Sequence, residues 1–224
     1  MSYETLEKIC QQLSLGNIEC TPTPLKGGLM HKMYSLFTTK GKYAVKLLNP
    51  AVMKRETAMS HYRHAEKLEV QLEQYDIPIL PALVFQDKKM QQIDRQFFYL
   101  YRWYDGKTLK NKEIKTMHCR KIGKFLAQMH KIDLRPMSYI PNLIQIDWDY
   151  YIDKMESKND ELYHILLQNR TLLYDTQEKR NCALQKMPSD TTICHNVLDR
   201  KNVLWNGSDF RVIDLECLSY ANPF

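Results

Sequence analysis

Ile193-Cys194-His195-Asn196-Val197-Leu198-Asp199-Arg200-Lys201-Asn202-Val203-Leu204-Trp205, with Val212-Ile213-Asp214-Leu215-Glu216 shortly after it, decides how the rest of this 224-residue chain is read. His195 opens a loop, Asn202 comes seven residues later, and an apolar run with strand character begins at Val203. Twelve residues beyond Asn202, Asp214 closes a second short apolar segment. An amide and a carboxylate are hard oxygen donors, and such a pair leaves room for phosphate oxygens and waters around magnesium. The plainer alternatives are a turn residue for Asn202 and a helix cap for Asp214; the spacing and the flanking strands favour the metal reading. His195 suits a structural role, bonding backbone around the loop. Glu216 falls on the same face as Asp214 if the strand continues, either holding a water or metal from behind or standing as a solvated carboxylate.

Working outward, Tyr43-Ala44-Val45-Lys46-Leu47-Leu48 is a strand pattern in which alternation puts Ala44, Lys46 and Leu48 on one face. A cation inside an apolar strand wants a carboxylate. The next helix offers Glu66 as first choice and Glu56 as second. Gly27-Gly28 precedes this strand; glycine lets backbone amides approach phosphate closely, although a plain hairpin turn uses the same pair. Residues 3–15 read as an amphipathic helix, 32–37 and 42–48 as a hairpin, 51–75 as helix, and 82–86 and 96–103 as strands with a turn over 87–95. After a break at Asp105-Gly106-Lys107, residues 113–131 read as a helix and 147–182 as a polar, mostly helical region. The expected class is α+β: a β-rich small lobe over 1–103, of five-stranded-sheet type, and a mostly helical lobe over 104–224.

Composition narrows the function. At 44% hydrophobic and 26% charged the chain is an ordinary globular one, with no apolar run of membrane-spanning length. The N-terminus carries no apolar signal region, which leads to an expected cytoplasmic location. Six scattered cysteines without a Cys-x-x-Cys pair argue for free thiols and against zinc. The net charge of +6 suits an anionic ligand such as a nucleotide. The basic residues are spread along the chain, so nucleic acid is not expected as a partner.

Taken together these stretches resemble the aminoglycoside phosphotransferase and choline kinase superfamily, which has a bilobal protein-kinase-like fold. Leu25-Lys26-Gly27-Gly28-Leu29-Met30-His31 looks like the family's glycine loop. Tyr99 to Leu109 looks like its inter-lobe hinge, and Ile122 to His130 like the helix supporting the catalytic loop. His195 to Asn202 matches the family's His-x-Asp-x-x-x-x-Asn loop except that Val197 stands at the Asp. Val212 to Glu216 looks like the family's metal-site strand, and Tyr220-Ala221-Asn222-Pro223 like its closing Tyr-x-Asn-Pro motif. The resemblance implies ATP or GTP with Mg2+ as cofactors and a small-molecule hydroxyl acceptor as partner. It implies nucleotide contacts from Gly27, Gly28, Lys46, Glu66, Leu100 and Trp103, with the backbone of 100–103 holding the base. It places metal ligands at Asn202 and Asp214, and the catalytic positions at Val197, Asp199 and Asn202. Asp147, Trp148, Asp149 and Tyr151 would suit a cationic acceptor.

Two departures set further expectations. Valine cannot take a proton from a hydroxyl, so transfer should be impaired. Asp199 is the first substitute to consider, but two residues along an extended chain is about 6–7 Å, too far for the same hydroxyl. The alternative is a catalytically inactive, nucleotide-binding pseudokinase-like module; a remnant that folds poorly is the third reading. The family usually continues well past Asn-Pro, so the large lobe is expected to be incomplete. Its uncovered apolar face, with Leu218, Tyr220 and Phe224, would then favour a homodimer.

Overall fold

The structure, a computed structural model, describes residues 3–25, 30–132, 143–188 and 191–223. The chain divides into two compact units, Met1–Ile132 with Ile193–Ser219, and Asp133–Thr192 with Tyr220–Phe224. The expected boundary between residues 103 and 104 falls inside the first unit. The loop from His195 to Asn202 belongs to that same unit.

The first unit begins with α1 (Tyr3–Gln12), β1 (Pro24–Leu25), β2 (Lys32–Thr38) and β3 (Gly41–Leu47). Then come α2 (Pro50–Met53), α3 (Ala58–Leu72), β4 (Gln91–Ile93), β5 (Gln96–Arg102) and α4 (Thr116–His130). The five strands form one antiparallel sheet in the order β1-β2-β3-β5-β4. Strand alternation gives this sheet two buried faces. On one, Leu36, Tyr43, Val45, Leu47, Phe98 and Leu100 pack with Leu6, Ile9, Cys10 and Leu15 from α1 and its exit. On the other, Leu48 and Tyr99 pack with Ala58 and Tyr62 of α3 and with Ala82. Lys46 pairs with Tyr99 across β3 and β5, so its side chain emerges on this second face.

The helix expected over 51–75 is two helices. Asn49 accepts the Ala51 N–H at 2.9 Å and Pro50 occupies the first turn, so α2 starts with a good cap but ends at Met53. The strand expected over 82–86 is reduced to isolated bridges, Ala82 to Tyr101 and Phe85 to Lys88. Gln91 instead turns its amide back onto the carbonyls of Phe85 and Lys88, and β4 forms within the stretch read as a turn.

β6 (Thr192–Cys194) and β9 (Ser219–Ala221) carry the chain between the units. Between them, β7 (Val203–Asn206) and β8 (Asp209–Val212) form an antiparallel hairpin. Val212 at the end of β8 donates its N–H to Pro78 at 2.7 Å and accepts from Leu80 at 2.9 Å. The segment after α3 is thereby tied to the residues just before Asp214.

The second unit contains α5 (Trp148–Glu156), α6 (Asp160–Gln168) and α7 (Arg170–Gln185). Asp147 and Asn159 cap the first two, accepting from Tyr150 and Leu162. The expected apolar patch of Leu218, Tyr220 and Phe224 is corrected at Leu218, which is only 2% exposed in the first unit. Tyr220 is half-buried, and Phe224 lies outside the described residues. No helix among the described residues is long and apolar enough to cross a membrane.

Candidate active site

The loop after β6 is held by its own polar side chains. His195 is buried and donates from Nε2 to the Ile213 carbonyl at 3.0 Å. Burial lowers its pKa, against the opposing pull of that hydrogen bond and of Asp214. The imidazole is therefore a neutral strut, the structural role expected of it. Asn202 is buried as well; its Nδ2 donates to the Val197 carbonyl at 2.8 Å, and its own carbonyl accepts the Ile213 N–H at 2.9 Å. The side chain of Val197 is exposed. Asp199 caps the short turn Arg200–Asn202, accepting weakly from Lys201 N–H at 3.4 Å, and lies at the surface.

Lys46 is 6% exposed and sits between two carboxylates. Its Nζ lies 2.6 Å from Asp214 Oδ1 and 2.8 Å from Glu216 Oε1. The expected pairing with Glu66, or else Glu56, is thus corrected. Glu66 accepts the Tyr99 hydroxyl at 2.7 Å and the Met90 N–H at 3.1 Å, and Glu56 is exposed. The reason is local. β8 stops at Val212, Asp214 takes a left-handed backbone conformation (φ 67°, ψ 50°), and the turn Leu215–Cys217 swings Glu216 back toward the sheet. Continuation of the strand, which would have left Glu216 beside Asp214, does not occur.

Electrostatics follow from this cluster. Burial pushes the Lys46 ammonium down, but Glu216 and Asp214 outweigh it and hold its pKa above the usual range. Burial pushes Asp214 up, and the Lys46 charge more than reverses this, so the carboxyl stays ionised. Glu216 is the more deeply buried of the two and is raised by that burial, with Asp214 adding to the rise and Lys46 opposing it.

A second layer was not seen in the sequence. His31 is buried and accepts the Asn49 N–H on Nδ1 at 3.0 Å. Its Nε2 lies 3.0 Å from the Tyr62 hydroxyl and 3.6 Å from Glu216 Oε2. A histidine next to a glycine loop carries no periodic signal of its own, and neither does a single tyrosine within a helix.

The remaining candidates behave unequally. Gly27 and Gly28 lie outside the described residues. Leu100 is fully buried with its carbonyl taken by the Leu83 N–H at 2.7 Å, and the Trp103 N–H is taken by the Lys42 carbonyl at 3.0 Å. These are two of the backbone groups in the 100–103 stretch expected to hold a base. In the second unit, Asp149 forms a two-pronged pair with Arg170, both contacts at 2.6 Å, and Asp147 is used as a cap. Tyr151 is exposed, and Trp148 Nε1 is buried without a partner among the described residues.

The donors at 202 and 214 fit magnesium by their chemistry. With Nδ2 of Asn202 tied to Val197, its Oδ1 is the atom left to offer, and the Asp214 side chain is 36% exposed. Among the described residues no three His, Cys, Asp or Glu gather into a metal cage. Magnesium commonly binds through one or two side chains and takes its other ligands from phosphate and water.

Comparisons with known proteins agree with this frame. Among solved structures, spectinomycin phosphotransferase APH(9)-Ia in complex with ADP and spectinomycin superposes with a TM-score of 0.65 at 14% identity, covering 97% of this chain and 70% of that one. Amicoumacin kinase hAmiN in complex with AMP-PNP, Ca2+ and Ami gives 0.65 at 12%, covering 100% and 66%. Aminoglycoside phosphotransferase APH(4)-Ia gives 0.62 at 14%, covering 99% and 74%. This chain therefore spans roughly two thirds to three quarters of the structures it resembles, and at these identities the likeness speaks for the fold, an α+β protein-kinase-like one. Among curated proteins none matches by sequence. The family described as "Phosphotransferase enzyme family" matches residues 21–224, which takes in the strand lysine, the loop of Asn202 and the Asp214 turn alike; the chain belongs to that family.

Proposed function

We propose that this protein transfers the terminal phosphoryl group of ATP or GTP to a hydroxyl of a small molecule, and that it does so slowly. The observation that carries the reading is the Lys46–Asp214 pair at 2.6 Å, which joins a strand cation to the end of the Asn202 loop. Phosphoryl transfer is mostly positioning and charge neutralisation. Lys46 supplies a cation for phosphate oxygens once it gives up Asp214. Asn202 and Asp214 would hold magnesium, which supplies positive charge between the phosphates. Six free thiols suit the reducing cytoplasm, where nucleoside triphosphates are abundant.

The weak point is the base. The position two residues after His195 presents an exposed valine, and the nearest carboxylate on the loop, Asp199, is a turn cap. A positioned base contributes about 10²–10⁴ in rate. Val197→Asp should therefore raise nucleotide-dependent phosphorylation by about that factor, read as ADP release against a panel of amino-alcohols and aminoglycosides. Equal turnover by the two proteins would remove Val197 from the base position. The exposed valine equally favours a second reading, a nucleotide-binding module without transfer. Nucleotide binding with no turnover, before and after Val197→Asp, would select it.

A further inference from the structure

We propose that Glu216, oriented by His31 and Tyr62, is the residue that positions Lys46 for nucleotide phosphate, a task the sequence assigned to a carboxylate of the following helix. The inference rests on the nucleotide-binding reading above.

Three observations carry it. The first is that Lys46 pairs with Asp214 and Glu216 and with neither carboxylate of α3. Glu66 is engaged by Tyr99 and Met90, and Glu69 by Lys89 and the Ala82 N–H. The second is the asymmetry between the two partners of Lys46. The Asp214 side chain is 36% exposed and that of Glu216 only 11%. An incoming ligand can reach and redirect the open carboxylate; the enclosed one stays with the lysine. The third is the support behind Glu216. The Asn49 N–H occupies Nδ1 of His31, which places the proton of the neutral imidazole on Nε2. That N–H faces the Tyr62 hydroxyl at 3.0 Å and Glu216 Oε2 at 3.6 Å. One oxygen of Glu216 thus faces the lysine and the other faces a histidine of fixed tautomer. Asn49 also caps α2, so the strand exit, the helix start and the lysine clamp share one backbone point.

Without Glu216, Lys46 has Asp214 alone and competes with magnesium for it. The loss should appear only for ligands that carry phosphate. The test measures Kd for ADP and for adenosine by calorimetry on the full chain, with and without magnesium. Glu216→Gln should weaken ADP by about tenfold or more while adenosine stays within about twofold. His31→Gln, which can still present a donor near the Nε2 position, should keep more ADP affinity than His31→Asn, which keeps only the acceptor for Asn49. Tyr62→Phe should fall between wild type and His31→Asn. An unchanged ratio of ADP to adenosine affinity in Glu216→Gln overturns the proposal. So does a parallel loss of both ligands, which would mark a merely structural role. If Glu216→Gln does not fold, the order of the two His31 variants decides instead. A wild-type protein that binds neither ligand would refute the nucleotide reading itself, and this inference with it; a wild type that binds both refers the question back to the variants.

Discussion

Lys46 and Lys89 make an instructive pair. Both are buried, at 6% and 3% exposure, and both are met by two carboxylates. Lys89 contacts Glu69 at 2.6 Å and also Glu73, residues one turn apart at the end of α3. Its partners lie 16 and 20 residues away in sequence, whereas Asp214 lies 168 residues from Lys46. The Lys89 cluster closes a short loop and welds α3 to the turn before β4. Glu69 is so enclosed that its pKa is raised by burial in spite of Lys89. The Lys46 cluster closes a much longer loop at a greater entropic cost; each cluster pairs an enclosed carboxylate with one whose side chain is 36% exposed, Glu73 for Lys89 and Asp214 for Lys46. Like pairing chemistry therefore fastens neighbouring elements at Lys89, whereas at Lys46 it ties β3 to the distant turn of Asp214, on which the proposed function rests.

The largest expected difference is in stability. Lys89→Ala strands Glu69 without a cation and should cost about 3–5 kcal/mol. Lys46→Ala should cost somewhat less, because the side chains of Lys46 and Glu216 (8% and 11% exposed) are less enclosed than those of Lys89 and Glu69 (3% and 8%). Urea unfolding of both variants checks the order, and the reverse ranking would break the distinction. Next comes ligand affinity. Lys46→Ala should lose ADP affinity by more than about tenfold, whereas Lys89→Ala, where folded, should stay within about twofold. Equal losses would mean that Lys89 is coupled to the site after all.

The smallest expected effect is on acid stability. His31 faces Glu216, Asp214, Tyr62 and Lys46, and burial, with Lys46 adding to it, lowers its pKa from 6.5 to about 4. The unfolded chain takes up that proton first. The stability owed to the neutral ring is thus complete above pH 6.5 and is lost as pH falls toward 4. His31→Asn should flatten the melting temperature over that window; an unchanged slope would place the acid sensitivity elsewhere, with His195 the next group to examine.

Much of this was legible in the sequence, for reasons that can be named. Strand alternation put Lys46 on the correct face, since period-two patterning needs only local information. The spacing from His195 through Asn202 to Asp214 gave the loop and its hairpin. The partner of Lys46 was not legible. Glu66 satisfied the helical spacing, but a tyrosine hydroxyl at Tyr99 reaches it first. Glu216 was misplaced because nothing in Val212-Ile213-Asp214-Leu215-Glu216 announces that the backbone turns at Asp214. Short β4 was lost in the same way, its register being set by Gln91 folding onto two carbonyls.

The left-handed backbone at Asp214 also limits what evolution and the experimenter can place there. Aspartate, asparagine and glycine enter that region readily, while most other L-residues are strained by about 1–2 kcal/mol and β-branched ones fare worst. The chain thus screens the position for a short side chain tolerant of positive φ, and on the proposed function magnesium would screen it again for an oxygen ligand. Asparagine alone passes the backbone screen while altering only the charge. Asp214→Asn is consequently the clean probe of the anion, and a valine or isoleucine at 214 would report chain geometry and metal affinity inseparably.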